Sequence, residues 1–333
     1  MRRRLSVCLL ATIVTAACGG AAAAPTAPTI APVPGASTLA TNYVNELLST
    51  MQLNSINRDR INWTDVRGQV AQRASGGQTI QDLYPAISLA LGLLDDHHSF
   101  YQAAGGGGVG NPLSPHCAAA PAATPALPDD IGYVRIGSFS SSVAGADVAF
   151  ADTIQEQIRV RDAGGLIGWI VDLRGNGGGN MWPMVAGVGP VLGEGVIGFF
   201  VTPTGSSSPW SYQGGVASNG STPISRTTTQ YLLLSRVAPR VAVLTDNLVA
   251  SSGEAVAVAF RGRPNARSFG GATCGLSTAN SGFRLSDGAT LQLTVSLMAD
   301  RTGTRYGIPL TPDETVDGDG AVVQRAIAWL RSG

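Results

Sequence analysis

The chain has 333 residues, of which 44% are hydrophobic and 13% charged, so it is long enough to bury a substantial core. Its 22 basic and 22 acidic residues cancel, and a net charge of zero gives no reason to expect nucleic acid as a partner. All of the basic residues are arginine, which excludes a serine–lysine dyad, a Schiff base and a phosphate-loop lysine. A general base must therefore be one of three histidines, a carboxylate or water.

The N-terminus has the pattern of an export signal. Arg2–Arg4 precede the apolar stretch Leu5–Ala17, which is too short to span a bilayer as a helix. Small residues lead up to Cys18, as in a bacterial lipoprotein signal whose cysteine is lipidated; an ordinary secretory signal is the alternative. We expect residues 1–18 to be the signal and the Ala/Pro-rich residues 19–37 to be a flexible linker. The protein is then exported to the bacterial cell envelope, in the periplasm or held at a membrane by lipid on Cys18, or is otherwise secreted.

Two cysteines remain beyond the signal. Because disulfides form and persist in exported proteins, we hypothesise a bond between Cys117 and Cys274; two free thiols are the alternative.

Residues 38–100 are predicted to form a small N-terminal helical subdomain. In its last helix the apolar residues between Ile80 and Leu94 recur on one stripe. His98 lies five turns after Ile80 and would point to the same side if the helix persists. Residues 101–130 are rich in Gly, Pro and Ala and are predicted to be a long loop, of a length that often marks a lid.

From residue 131 to 333, strand and helix patterns alternate, which predicts an α/β core domain with a largely parallel sheet. The predicted strands are Gly132–Ile136, Ile167–Leu173, Val196–Thr202 and Val241–Thr245, with a hairpin of Phe283–Leu285 and Thr290–Leu297. The predicted helices are Val143–Arg161, Trp182–Leu192, Ser252–Arg261 and Ala321–Arg331.

Ser251 lies at a junction between a predicted strand and a predicted helix. A hydroxyl there faces free backbone N–H groups, which is a suitable place for a serine nucleophile with an oxyanion hole. The spacing Ser251-x-x-Glu254 also fits a capping box, a purely structural role worth about 1 kcal/mol. Spacing alone leaves both interpretations open.

A glycine-rich turn, Asp172–Gly179, follows another predicted strand. Arg174 and Asn176 alternate with glycine there, which indicates a turn held by side chains so that backbone N–H groups point outward. The turn lacks the spacing and the lysine of a nucleotide-binding loop. The adjacent His97 and His98 and the distant His116 do not supply a zinc pattern, so we predict neither a metal nor a cofactor.

Taken in order, these motifs resemble the C-terminal-processing, or tail-specific, serine proteases. The matching blocks are Leu94-Asp95-Asp96-His97-His98-Ser99, Gly132–Ile136 with Phe139, Asp172–Gly179, Ala250–Glu254, Gly270–Gly275 and Pro312-Asp313. The resemblance covers roughly residues 40–318. It implies a ClpP/crotonase-like core. About thirty residues fill the place where many members carry a PDZ domain, too few to form one.

The resemblance also implies residue roles. Ser251 matches the nucleophile, and the backbone N–H groups of Gly178 and Ser252 match the oxyanion donors. Where one branch has a lysine, this chain has none, so it is similar to the branch of tricorn protease, which uses the histidine at His98. Candidates for the third, acidic member are Glu254, Asp313 and Asp96.

The sequence therefore predicts a serine endopeptidase that acts on peptides or unfolded proteins through a Ser251 acyl-enzyme. The alternative is a catalytically inactive protein that binds a small lipid-like or retinoid-like ligand on the same fold. Trp182, Phe199 and Phe200 would line an apolar pocket or, as the more ordinary interpretation, belong to the core.

Overall fold

The computed structural model describes residues 32–162, 164–228 and 233–332. The predicted signal with Cys18, and residues 19–31 of the predicted linker, lie outside these residues. Within the described residues, no helix combines the length and the apolar character that a membrane crossing requires.

The described residues form seven α-helices and thirteen strands. The helices are α1 (Thr38–Asn54), α2 (Trp63–Arg73), α3 (Tyr84–Gly92), α4 (Ala146–Arg161), α5 (Met181–Leu192), α6 (Ser252–Phe260) and α7 (Asp319–Arg331). The strands are β1 (Phe100–Gln102), β2 (Gly108–Val109), β3 (Ile131–Arg135), β4 (Gly168–Asp172), β5 (Gly195–Val201), β6 (Ser207–Gln213), β7 (Val216–Asn219), β8 (Thr222–Arg226), β9 (Arg240–Thr245), β10 (Ala266–Gly270), β11 (Thr278–Arg284), β12 (Thr290–Asp300) and β13 (Glu314–Thr315).

Five strands form a parallel sheet in the order β13-β10-β9-β4-β3. β4 is buried along its whole length, because α7 packs on one face of the sheet and α4, α5 and α6 pack on the other. The carboxyl ends of the neighbouring strands β4 and β9 lie at one edge. The segments that follow these two strands, the Asp172–Gly179 turn and the Ser251 junction, are therefore brought side by side.

A second sheet is antiparallel, with the order β2-β1-β12-β5-β6-β7-β8 and with β11 also paired to β12. The N-terminal helices pack on it, and Leu291 and Leu293 of β12 belong to the shared core. The predicted α/β class with a parallel sheet is thus confirmed. The predicted hairpin of Phe283–Leu285 and Thr290–Leu297 is present in β11 and β12, but the sequence did not reveal the rest of this antiparallel sheet. Its strands β6 to β8 are short, rich in Ser and Thr and partly exposed, so their apolar alternation is weak.

The helix preceding His98 ends earlier than its apolar stripe suggested. α3 stops at Gly92, and Asp95 and His97 have positive φ angles of 53° and 63°. The chain therefore turns before His98, so the helix does not persist to His98 and the helical stripe does not determine where this residue points. Instead, β1 pairs with β12, with Phe100 opposite Gln292, and this pairing fixes the segment that holds His98.

Candidate active site

Ser251 follows the loop after β9 and caps the start of α6. Its backbone has φ 51° and ψ −113°, a combination that costs a non-glycine residue about 1–3 kcal/mol. The Glu254 carboxylate accepts a hydrogen bond from the Ser251 backbone N–H at 3.0 Å, which is one half of the predicted capping box. A strained serine held by a buried partner is a common feature of catalytic sites.

Glu254 is completely buried beneath the junction. Its other carboxylate oxygen accepts hydrogen bonds from the Thr273 hydroxyl and, at 3.0 Å, from the Gly275 N–H. Burial raises the pKa of Glu254, while these hydrogen bonds to the charged form act in the opposite direction. Glu254 therefore joins the Ser251 backbone to the 273–275 loop.

The Asp172–Gly179 turn is held by its own side chains, as predicted. Asp172 and Arg174 form a buried ion pair at 2.6 Å, and Arg174 also bonds to Asp319 at the start of α7. The Asn176 side chain donates to the Ile136 carbonyl at 3.1 Å, while its backbone carbonyl accepts from the Ala250 N–H at 3.0 Å. Asn176 thus ties the turn to the segment that carries the serine.

The Asp172–Gly179 turn and the segment around Ser251 are in contact at Gly178 and Gly253. A Cβ at Gly253 would lie 2.3 Å from the Asn176 carbonyl oxygen, and one at Gly178 would lie 3.0 Å from both the Ser251 Cβ and the Ser252 nitrogen. The Ser252 hydroxyl closes the contact by donating to the Gly179 carbonyl at 2.6 Å. These positions require glycine because the two backbones approach within van der Waals contact.

The two predicted oxyanion donors lie next to each other. Ser252 is the first residue of α6, so its N–H has no acceptor within the helix. The Gly178 N–H donates to the Asn176 side-chain oxygen at 3.0 Å. Donation from Gly178 to an oxyanion would therefore have to share or replace this hydrogen bond.

His98 is oriented by Thr278, the first residue of β11. The Nδ1 atom of the ring lies 2.7 Å from the Thr278 hydroxyl oxygen. The His98 backbone is fixed on both sides, because its N–H donates to the Asp96 carboxylate and its carbonyl accepts from the Asn280 side chain. With Nδ1 held by Thr278, Nε2 is the ring nitrogen left to act as a base.

No carboxylate in the described part of the chain bonds to the His98 ring. Asp96 bonds to backbone N–H groups of its own turn, and Glu254 lies beneath Ser251. Asp313 binds Ser268 and Arg261 and does not line the cleft described below. The structure thus brings a threonine, which sequence reasoning missed, to the place where an acid was expected.

Replacing Thr278 with valine tests the orienting contact. We expect kcat for peptide hydrolysis to fall by about 10–100-fold with a smaller change in KM, because the ring loses its partner but keeps its packing. Thr278→Ser, which retains the hydroxyl, should restore most of the rate. An unchanged kcat in the valine variant would show that Thr278 plays no part in positioning His98.

The pH dependence of hydrolysis tests the state of His98. Burial lowers the pKa of His98 from 6.5 to about 4, so the ring is neutral and able to accept a proton down to acidic pH. We expect kcat/KM to stay level from about pH 8 to pH 5 and to decline only as the pH falls through about 4. A titration midpoint near 6.5, with the fold intact by tryptophan fluorescence, would contradict this expectation.

Ser251 and His98 open onto the same cleft, of about 1270 Å³. The cleft is also lined by the predicted turn through Gly177 and Gly179, and by Trp182 and Phe200, whose rings meet edge to face at 6.3 Å. No hydrogen bond joins the His98 ring to Ser251 among the described residues. Catalytic hydrogen bonds often shorten only when substrate binds. Ser251 and His98, which are about 150 positions apart in the chain, therefore line the same cleft.

The predicted disulfide between Cys117 and Cys274 is present, with 5.4 Å between the Cα atoms. It ties the segment after β2 to the loop whose Thr273 and Gly275 hold Glu254. Within the described residues, no group of His, Cys, Asp and Glu is arranged to hold a metal ion.

The sequence pattern described as peptidase family S41 matches residues 130–316 of the 333. This chain belongs to peptidase family S41. The S41 match runs from β3 to just beyond β13 and includes both the Asp172–Gly179 turn and Ser251. It confirms the predicted membership in the C-terminal-processing serine proteases and the predicted serine-type peptidase class.

Known proteins similar to this S41 chain include a curated relative and several solved structures. A nisin-resistance protein from Lactococcus lactis subsp. lactis is 37% identical over 166 residues, so the chain spans about half the length of this curated relative. The solved structure of a lipoprotein from Streptococcus agalactiae is 22% identical, with a TM-score of 0.70 over 88% of this chain and 96% of that one. At 22% identity, the likeness to the lipoprotein supports the fold alone.

A second solved structure is the photosystem II D1 C-terminal processing protease. It is 16% identical, with a TM-score of 0.52 over 84% of this chain and 94% of that one. This likeness supports the fold of the S41 chain and says nothing about its individual site residues.

Proposed function

We propose that this chain is an exported serine endopeptidase that hydrolyses peptides or unfolded proteins. The observation that carries the proposal is the shared cleft: a strained serine at a helix start and an oriented, neutral imidazole open onto one space. Neither feature is needed for a capping box alone. Family membership in S41 supports the same assignment.

In the proposed reaction, Nε2 of His98 removes the Ser251 hydroxyl proton as the oxygen attacks a peptide carbonyl carbon. The backbone N–H groups of Ser252 and Gly178 donate to the carbonyl oxygen as it becomes negative. His98 then passes the proton to the leaving amine, and the peptide bond breaks. Water, deprotonated by His98, attacks the resulting ester and frees Ser251.

The supporting residues hold this geometry. Thr278 fixes the imidazole, and Glu254 fixes the Ser251 backbone through its N–H. Asn176 joins the turn that carries Gly178 to the serine segment. We propose positioning roles for all three residues and no direct proton transfer. Asp313 has no role in this proposal.

Labelling with a fluorophosphonate probe tests the proposal, because only an activated serine reacts. We expect the wild-type protein to be labelled at Ser251, with labelling lost on prior heating and in Ser251→Ala. Folded protein that neither labels nor hydrolyses any peptide would favour the alternative of an inactive small-ligand-binding protein. The curated relative is named for nisin resistance, so nisin is the first defined compound to assay as a substrate.

A further inference from the structure

The described residues that line the cleft around Ser251 and His98 are all uncharged. Among the described residues that line it, none is Asp, Glu, Lys or Arg, although such residues make up 13% of the chain. The two titratable side chains in the wall are also neutral near pH 7: burial lowers the pKa of His98 to about 4 and raises that of Tyr101 to about 12.

Charged side chains near Ser251 and Thr278 do not line the cleft. Glu254 lies directly beneath Ser251 but is fully buried and saturated by hydrogen bonds. A separate cavity of about 420 Å³ is lined by Asp59, Arg60 and Arg305. Thr278 lines both this cavity and the cleft, so it lies between a wall with charged side chains and a wall whose described residues are uncharged.

The uncharged wall has two kinds of surface. One part is apolar and aromatic, with Trp182, Phe200 and Met298. The remainder presents side-chain amides and hydroxyls, such as those of Asn219 and Gln292. Hydroxyls and amides can satisfy neutral polar side chains and peptide groups, but a charged side chain entering the cleft would lose water without gaining a counter-charge.

We infer that this site selects uncharged peptide segments, with apolar or neutral polar side chains on both sides of the cleaved bond, and that it needs no free terminal carboxylate. The inference rests on the proposed peptidase function and specifies its substrate class. Because no Arg, Lys or charged His is among the described residues of the wall, a terminal carboxylate has no ionic partner among them. Binding should also depend little on salt, since no charge pairs form.

Cleavage-site profiling of a diverse peptide library by mass spectrometry tests the inference, with Ser251→Ala as the blank. We expect Asp, Glu, Lys and Arg to be depleted at least about fivefold within three residues of the cut. The best peptide should be cleaved at rates equal within about twofold as the free acid and as the amide, and between low and high NaCl. Unchanged or enriched frequencies of charged residues, or a free acid cleaved about tenfold faster, would overturn the inference.

A charge placed in the wall gives a second test. Ser281 is exposed on β11 and lines the cleft, so Ser281→Arg should increase cleavage of peptides with Asp or Glu near the cut by about tenfold relative to wild type. Ser281→Asn, which adds bulk without charge, should leave the profile unchanged. No gain with Ser281→Arg would contradict the inference. Cleavage next to charged residues would overturn the inference alone, whereas no cleavage and no fluorophosphonate labelling would overturn the proposed function as well.

Discussion

Replacing Ser251 with alanine is expected to lower turnover of peptide hydrolysis by about 10⁴–10⁶-fold, because no acyl-enzyme can form. The Ser251 N–H that bonds to Glu254 is retained. The free energy of unfolding should therefore fall by about 1 kcal/mol or less, the value of a helix cap. Peptide kinetics together with urea unfolding measure the two quantities.

A matched control is Ser140→Ala, which removes an exposed hydroxyl from the same cleft. Its turnover should stay within about threefold of wild type. If Ser251→Ala retained full proteolysis and lost only stability, Ser251 would be a helix cap and the proposed function would fail.

Replacing His98 with glutamine is expected to lower turnover by about 10⁴-fold or more, because Ser251 loses its base. Glutamine keeps much of the volume and can still bond to Thr278, so the fold should persist. Adding Ser251→Ala to this variant should cost little further activity, since the two residues act as a unit. Single-turnover kinetics of the two single variants and the double variant give the comparison.

The neighbouring histidine provides the control for His98. His97 is exposed, and its ring bonds to the Leu113 carbonyl at 2.8 Å outside the cleft lining. His97→Gln should therefore keep turnover within about threefold of wild type. A larger loss in His97→Gln than in His98→Gln would reverse the assignment of the base.

Local patterns in the sequence were sufficient to place the strands, turns and helices on the serine side of the site, although they left the role of Ser251 open. The runs that became β4 and β9 are short and apolar, and each ends at a polar or glycine-rich junction, so strand, turn and helix could be placed within a few residues. Both junctions follow parallel strands, and their neighbourhood then follows from the sheet.

The histidine side depended on contacts that no local pattern encodes. The helical spacing after Ile80 does not explain where His98 lies, because α3 ends at Gly92. Only the match to the family motif pointed to His98 as the candidate base. Thr278 lies 180 positions away from His98, and a threonine at a strand start gives no signal of a catalytic role. Thr278 begins β11, which pairs locally with β12, but β12 also pairs with the distant β1, where Phe100 lies opposite Gln292.

The covalent link between Cys117 and Cys274 couples one loop of this site to the surrounding redox conditions. In the reducing cytoplasm such a link would open, and the loop that braces Glu254 would lose one of its ties to the rest of the chain. The Cys274 and Thr273 N–H groups would still donate to the Val249 and Leu310 carbonyls. In a chain exported as proposed, this last covalent tie would form only after the chain has left the cytoplasm.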